Sequence, residues 1–294
     1  MAETDNYGRE LEKRWAESFR AQQMPVTDGT QYVRIGGKGP VMILLHGFGD
    51  TGDMWISLAA RLVKDRTVIV PDLRGMGLSS HPEGGYEKIA QARDLAAILD
   101  QLGVTDAALV THDIGNMVGY AFAALYPHRV TRWVVMDAPL PGIGHWDDQL
   151  KNPKTWHFNF RGPDVERLVA GRERILLDRF YNELSANPAR IDEQTRSHYA
   201  SLYARPGAIH NAFSGQFAAF AQDAVDNQQL LAKGKLTIPV LAIGGDHSYG
   251  EKLATEIGFG ATNVRSAVIK DSGHWIMEEQ PDQAIELITS FLRE

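Results

Sequence analysis

The segment LVTHDIGNMVGYAFAALYPHRV, Leu109 to Val130, carries an acid where a strand-like run gives way to a helix-like one. The run ends at Thr111, the helical pattern opens at Gly115, and Asp113 sits at the bend. At the head of a helix, backbone N–H groups and the helix dipole favour the ionised form of such a side chain. A carboxylate presented on a sharp strand-to-helix turn can act as a nucleophile, and that turn needs small residues two places to either side. Thr111 and Gly115 hold those places, Thr111 being larger than the usual glycine. The plainer reading of Asp113 taken alone is an N-cap.

Other strand ends add partners. MILLHG runs into His46-Gly47-Phe48-Gly49, a glycine-bracketed turn able to aim a backbone N–H at the same crevice. With the N–H of Ile114 this would make an oxyanion hole, the donors being Phe48 and Ile114. KDSGHWIMEEQP places His274 after the last strand and before the closing helix. An imidazole there needs a carboxylate to hold its tautomer. Two stand at strand ends, Asp137 in VVMDAPLPG and Asp246 in AIGGDHSYG. Asp72 in PDLRGMGLSS reads as loop architecture.

These residues must be positioned by alternating strands and helices. Strand candidates begin at Gln31, Pro40, Arg66, Ala107, Arg132, Ile238 and Arg265, most of them short β-branched runs suited to a sheet covered on both faces. Helices are expected over 53–64, 86–102, 115–126 and 282–292, the alternation of a doubly wound, mostly parallel α/β sheet. From Pro139 to about Lys235 only helical patterns occur. Such an insertion leaving the carboxyl end of a strand would roof the ligand crevice as a helical cap. The expected organisation is a core of residues 1–138 and 236–294 with a cap over 139–235.

Composition narrows the function. The 294 residues carry a formal net charge of -7, which leaves nucleic acid and anionic membrane as poor partners. There is no cysteine, so thiol catalysis, disulfides and thiolate metal sites are excluded. Histidines lack metal-ligand spacing and no dinucleotide fingerprint follows a strand, so neither metal nor cofactor is expected. The arginine-rich helix from Val165 alternates arginine with acids and leucines and reads as a solvated face. With no apolar leader and no run of eighteen apolar residues, the expectation is a cytoplasmic protein off the membrane.

The elbow at Asp113, the HGFG turn and His274 together resemble the α/β-hydrolase superfamily over essentially the whole chain, in the branch with an aspartate nucleophile. That branch holds epoxide hydrolases and haloalkane dehalogenases. The resemblance implies displacement at a saturated carbon to give an alkyl ester on Asp113, which water activated by His274 then hydrolyses. The superfamily's usual acid follows the later strand in a GxxD-like pattern. Read from Gly245, that slot falls on Ser248 rather than Asp246. Asp137 matches the alternative position, directly before the cap, and is preferred.

Haloalkane dehalogenases commonly carry a tryptophan directly after the nucleophile, where this chain has Ile114, and fluoroacetate-type members carry nearby arginines, where it has Asn116 and Met117. KTWHFNF and SLYARPGAIHNAF resemble the ring-opening segments of epoxide hydrolases related to the virulence factor Cif. This implies His157 and Tyr203 as donors to the epoxide oxygen, with Tyr199 in reserve; Cif-like members tend to have glutamate where Asp137 stands. The function implied is an epoxide hydrolase acting on a small apolar epoxide and water to give a vicinal diol, with a homodimer as a family-level expectation. The rivals are a dehalogenase of the same fold and a non-catalytic ligand-binding homologue. Trp156, Phe158, Phe160, Phe213 and Phe217 suggest an apolar pocket wall, with most of them read as cap core.

Overall fold

The computed structural model describes residues 2–294. Eight strands form one sheet: β1 (Phe19–Val26), β2 (Gly29–Gly36), β3 (Val41–Leu45), β4 (Thr67–Pro71), β5 (Ala107–His112), β6 (Val130–Met136), β7 (Leu236–Gly245) and β8 (Ala261–Ile269). Their spatial order is β1-β2-β4-β3-β5-β6-β7-β8. β2 is antiparallel to both β1 and β4, and every pairing from β4 to β8 is parallel.

The period of two in these strands divides the core into two layers. Ile43, Leu45, Ile69 and Leu109 pack in one, while Met42, Leu44, Val68, Val70 and Val110 pack in the other. Each central strand is thus buried on both faces, which explains its unbroken apolar run. β5 has no exposed residue at all. β1 went unread in the sequence because FRAQQMPV is polar, and as an edge strand it exposes most of its side chains.

Helices cover both layers: α1 (Ala2–Ala16), α2 (Ile56–Leu62), α3 (Lys88–Gln101) and α4 (Ile114–Leu125) come from the first part of the chain. α5 (Trp146–Lys151), α6 (Pro163–Val169), α7 (Glu173–Leu184), α8 (Glu193–Tyr203), α9 (Ala208–His210) and α10 (Phe220–Leu231) all fall between β6 and β7. α11 (Lys252–Ile257), α12 (Ile276–Glu279) and α13 (Pro281–Phe291) complete the chain.

The helices between β6 and β7 are tied to the rest by buried polar links as well as by packing. Lys88 Nζ of α3 lies 3.0 Å from Asp223 Oδ2 of α10, with both side chains buried. Asp53 collects Trp15, Arg34 and His198 at 2.8, 2.8 and 2.9 Å. Burial alone would raise the Asp53 carboxyl; Arg34 and His198 outweigh it and hold it down at about 2. Asp72 accepts from Arg34 at 3.1 Å and from the N–H groups of Gly52 and Leu78 at 2.9 and 2.8 Å, so it serves loop architecture as its setting suggested.

Candidate active site

β5 delivers Asp113 onto a backbone that few residues adopt: φ is 50° and ψ -121°. This is the left-handed side of conformational space, a strained placement for a non-glycine residue. The turn is permitted by glycines on both sides. A Cβ on Gly115 would sit 2.4 Å from the Leu45 carbonyl oxygen, and one on Gly47 would sit 2.3 Å from Asp113 Cβ. Thr111 fits in place of the usual glycine because its hydroxyl is bonded, donating to Asn116 Oδ1 at 2.7 Å and accepting from Trp133 Nε1 at 2.8 Å.

The HGFG turn after β3 lies against this elbow. The Phe48 N–H donates to Asp113 Oδ1 at 2.8 Å. His46 holds the turn from below: Leu73 N–H donates to its Nε2 at 2.9 Å, and its Nδ1 meets the Gly47 carbonyl at 2.9 Å. Burial lowers the His46 pKa, keeping it neutral for that work. Ile114 is fully buried as the first residue of α4.

His274 stands between two acids. Its Nε2 is 3.9 Å from Asp113 Oδ2 and its Nδ1 is 3.2 Å from Asp137 Oδ2. Nδ1 also lies 3.0 Å from the Asp137 main-chain carbonyl. Asp137 directly follows β6 with φ 45° and is completely buried. Its Oδ1 accepts from Gly245 and Tyr249 N–H groups at 3.0 and 3.4 Å, which fixes the carboxylate plane. Burial would lower the His274 pKa; the Asp137 hydrogen bond and the charges of Asp113 and Asp137 outweigh it, so the net shift is upward. Asp246 is turned away, accepting from Ser272 N–H at 3.2 Å.

A cavity of about 400 Å³ opens onto Asp113, Asp137, His157 and His274. His157 is buried among Phe158, Phe180 and Phe217, its Nδ1 unpartnered, and burial drives its pKa down to about 4. It is therefore a neutral imidazole at the cavity wall. Tyr203 is not on that wall. Its hydroxyl accepts from Gly49 N–H at 2.8 Å and faces the Asp50 carbonyl at 3.4 Å, because α8 backs the HGFG turn rather than the cavity. The expectation put Tyr203 toward the substrate; here its hydroxyl meets the HGFG turn and the residue is not among those lining this cavity. Tyr199, one turn earlier on α8, is buried and likewise absent from the wall.

The tyrosine that does line the cavity is Tyr249, donating to Gln149 Oε1 at 2.8 Å. Burial, then the Asp137 charge, raises its pKa, so it stays a protonated phenol. It follows Asp246 in the GGDHSYG segment read only for its acid, and no motif signalled it. The wall is mixed in polarity. Phe158, Leu184, Ala138 and Pro139 share it with Gln149, Asn152, Lys154, Glu183 and Lys252. Phe213 and Phe217 instead pack edge-on against Phe48 with ring centroids 5.7 and 5.0 Å away.

Asp50, directly after the HGFG turn, is wholly buried with neither carboxyl oxygen hydrogen-bonded, His112 Nδ1 lying 3.9 Å from Oδ2. Burial, with Glu278 and Asp113 nearby, pushes its pKa well up, which disfavours a second anion beside Asp113.

Residues 40–281 match the family described as alpha/beta hydrolase fold. A soluble epoxide hydrolase from Corynebacterium sp. strain C12 is 30% identical over 265 residues, spanning 87% of this chain and 91% of that one. A fluoroacetate dehalogenase from Burkholderia sp. is 27% identical over 294 residues, spanning 94% of each chain. The crystal structure of the Cif epoxide hydrolase from Acinetobacter nosocomialis superposes with a TM-score of 0.88 at 23% identity, over 99% of this chain and 96% of that one, a likeness of fold. Among the described residues no helix is long and apolar enough to cross a membrane.

Proposed function

The chain belongs to the alpha/beta hydrolase fold family and is a hydrolase; from that premise we propose that it is an epoxide hydrolase working through a covalent ester on Asp113. The observation that carries this reading is the identity of the elbow residue. A carboxylate, not a hydroxyl or thiol, takes the strained position, with Phe48 N–H on one oxygen and His274 Nε2 3.9 Å from the other. A carboxylate needs no general base to become nucleophilic, so His274 is free for a later step.

In the first step an Asp113 oxygen attacks an epoxide carbon, the carbon–oxygen bond of the ring breaks, and the ring oxygen takes the electron pair. His157 and Tyr249, both on the cavity wall, hydrogen-bond that oxygen, and Tyr249 passes it a proton that solvent later replaces. In the second step His274 takes a proton from water, whose oxygen attacks the Asp113 ester carbon. The oxyanion is held by the N–H groups of Phe48 and Ile114; on collapse the ester oxygen leaves with the proton held by the His274 imidazolium, completing the vicinal diol, and Asp113 loses its remaining proton to solvent to become a carboxylate again. Esterification removes the Asp113 charge, one of the causes raising the His274 pKa. The imidazole therefore becomes freer of its proton in the state that needs a base. The helices between β6 and β7 act as the cap, with residues 139–235 as one unit over the remaining core.

The relatives named dehalogenases set the rival reading. Ile114 offers no indole N–H beside the nucleophile, and the one tryptophan next to His157, Trp156, stacks on Phe180 and Arg179 instead of lining the cavity. The test is to incubate His274→Gln with terminal and internal epoxides, a haloalkane and a haloacetate. An adduct heavier by the whole epoxide on intact-protein mass spectrometry, and diol from the parent protein, are expected. Halide release without diol formation would transfer the reading to a dehalogenase.

A further inference from the structure

Phe48, whose N–H meets Asp113 Oδ1, packs against aromatic rings from the segment between β6 and β7. Its ring is surrounded edge-on by Phe180, Tyr203, Phe213 and Phe217 at centroid distances of 5.3, 5.2, 5.7 and 5.0 Å. The residue that follows it, Gly49, has φ 87°, a left-handed conformation that glycine adopts without steric cost. Both of its backbone groups are tied to tyrosine hydroxyls from those same helices. Gly49 N–H donates to Tyr203 at 2.8 Å, and Tyr181 donates to the Gly49 carbonyl at 2.6 Å. Neither phenol lines the cavity, and both side chains are buried. Burial, with Asp50 near, raises both pKa values, so both remain hydroxyls and can donate and accept at once.

We propose that Tyr181 and Tyr203 are positioning residues that lock the Gly49 peptide groups and thereby set the Phe48 N–H as an oxyanion donor, so that the inserted helices govern ester hydrolysis. This rests on the covalent reading above. An oxyanion donor contributes most when the charge forms at the tetrahedral stage, and a misplacement of about 1 Å can cost about a hundredfold. Ring opening draws on the cavity-facing donors instead, so the two half-reactions should separate.

The experiment compares Tyr181→Phe, Tyr203→Phe and the double variant with the parent protein in single turnover on one epoxide, following the adduct by quenched-flow mass spectrometry. Each single variant should form adduct within about threefold of the parent rate but hydrolyse it about ten- to a hundredfold more slowly, so that adduct accumulates. Slower adduct formation with hydrolysis unchanged would overturn the proposal and return Tyr203 to the ring-opening role. Unchanged rates in both steps would overturn it as well. His274→Gln run alongside separates the two levels: no adduct there sinks the covalent reading itself. Amide exchange at Gly49, read by NMR, tests the lock without any substrate. It should be at least about tenfold faster in Tyr203→Phe, and equal exchange would overturn the proposal.

Discussion

Replacing Asp137 with asparagine gives the most informative separation of geometry from charge. Asp137 Oδ1 accepts from two N–H groups, Gly245 and Tyr249, so an asparagine must keep its oxygen there and turn its amide NH2 toward His274. Two donors then face each other across the former 3.2 Å contact. The Asp137 main-chain carbonyl, 3.0 Å from Nδ1, still accepts the ring proton, so the tautomer survives while the anion is lost. Coulomb's law at 3.2 Å and an effective dielectric of about 20 gives roughly 5 kcal/mol for imidazolium and carboxylate, and a charge-assisted hydrogen bond nets about 1.5–3. A loss near 3 kcal/mol, roughly two orders of magnitude, is expected on ester hydrolysis. That is milder than the ~10⁴-fold seen where the tautomer also reverses. The assay is adduct decay in single turnover, with adduct formation within about threefold of the parent rate and Asp246→Asn as a near-neutral comparison. Adduct decay in Asp137→Asn as fast as in the parent, or a loss confined to adduct formation, would refute the assignment of Asp137.

Titration of His274 by NMR should show a pKa above 6.5 in the resting protein, since Asp137 and Asp113 both favour the imidazolium. Because hydrolysis needs the neutral ring, adduct decay should slow as pH falls, with a limb lower than the resting pKa once Asp113 is esterified. Gly47→Ala places a Cβ 2.3 Å from Asp113 Cβ; kcat should fall by about a hundredfold or more while the protein stays folded by circular dichroism. Arg34→Met removes the guanidinium shared by buried Asp53 and Asp72, leaving Asp53 only His198 and Trp15, and chemical denaturation should show a loss of about 3–5 kcal/mol. For Asp53 the folded pKa is depressed to about 2, so its contribution is complete above the unfolded value near 3.9 and disappears as pH falls through about 2. A parent melting temperature insensitive to acid over that interval would count against it.

The central strands and the elbow were legible because their signals are local: a β-branched run buried on both faces, and glycines required within two residues of a bend. His274 and Asp137 could be named since strand ends of one sheet converge on one crevice. Tyr203 could not be placed, because SLYARPGAIHNAF does not say whether a helix turns its phenol toward a cavity or toward the turn beneath it. Tyr249 escaped for the complementary reason: only the meeting of the loop after β7 with α5 brings it to the wall. Asp53 and Arg34 were silent too, as their pairing spans an antiparallel edge that the sequence showed only in part. Tertiary packing decides which polar side chains face a cavity, and that information is spread over residues far apart in the chain.

The most direct test follows oxygen atoms through Asp113. After many turnovers of an epoxide in heavy-oxygen water, the peptide containing Asp113 should carry the heavy isotope in its side chain, and in a single turnover the diol should carry ordinary oxygen drawn from the aspartate. A diol labelled from its first turnover, with the Asp113 peptide unlabelled, would mean that water attacks the substrate directly and that no ester forms.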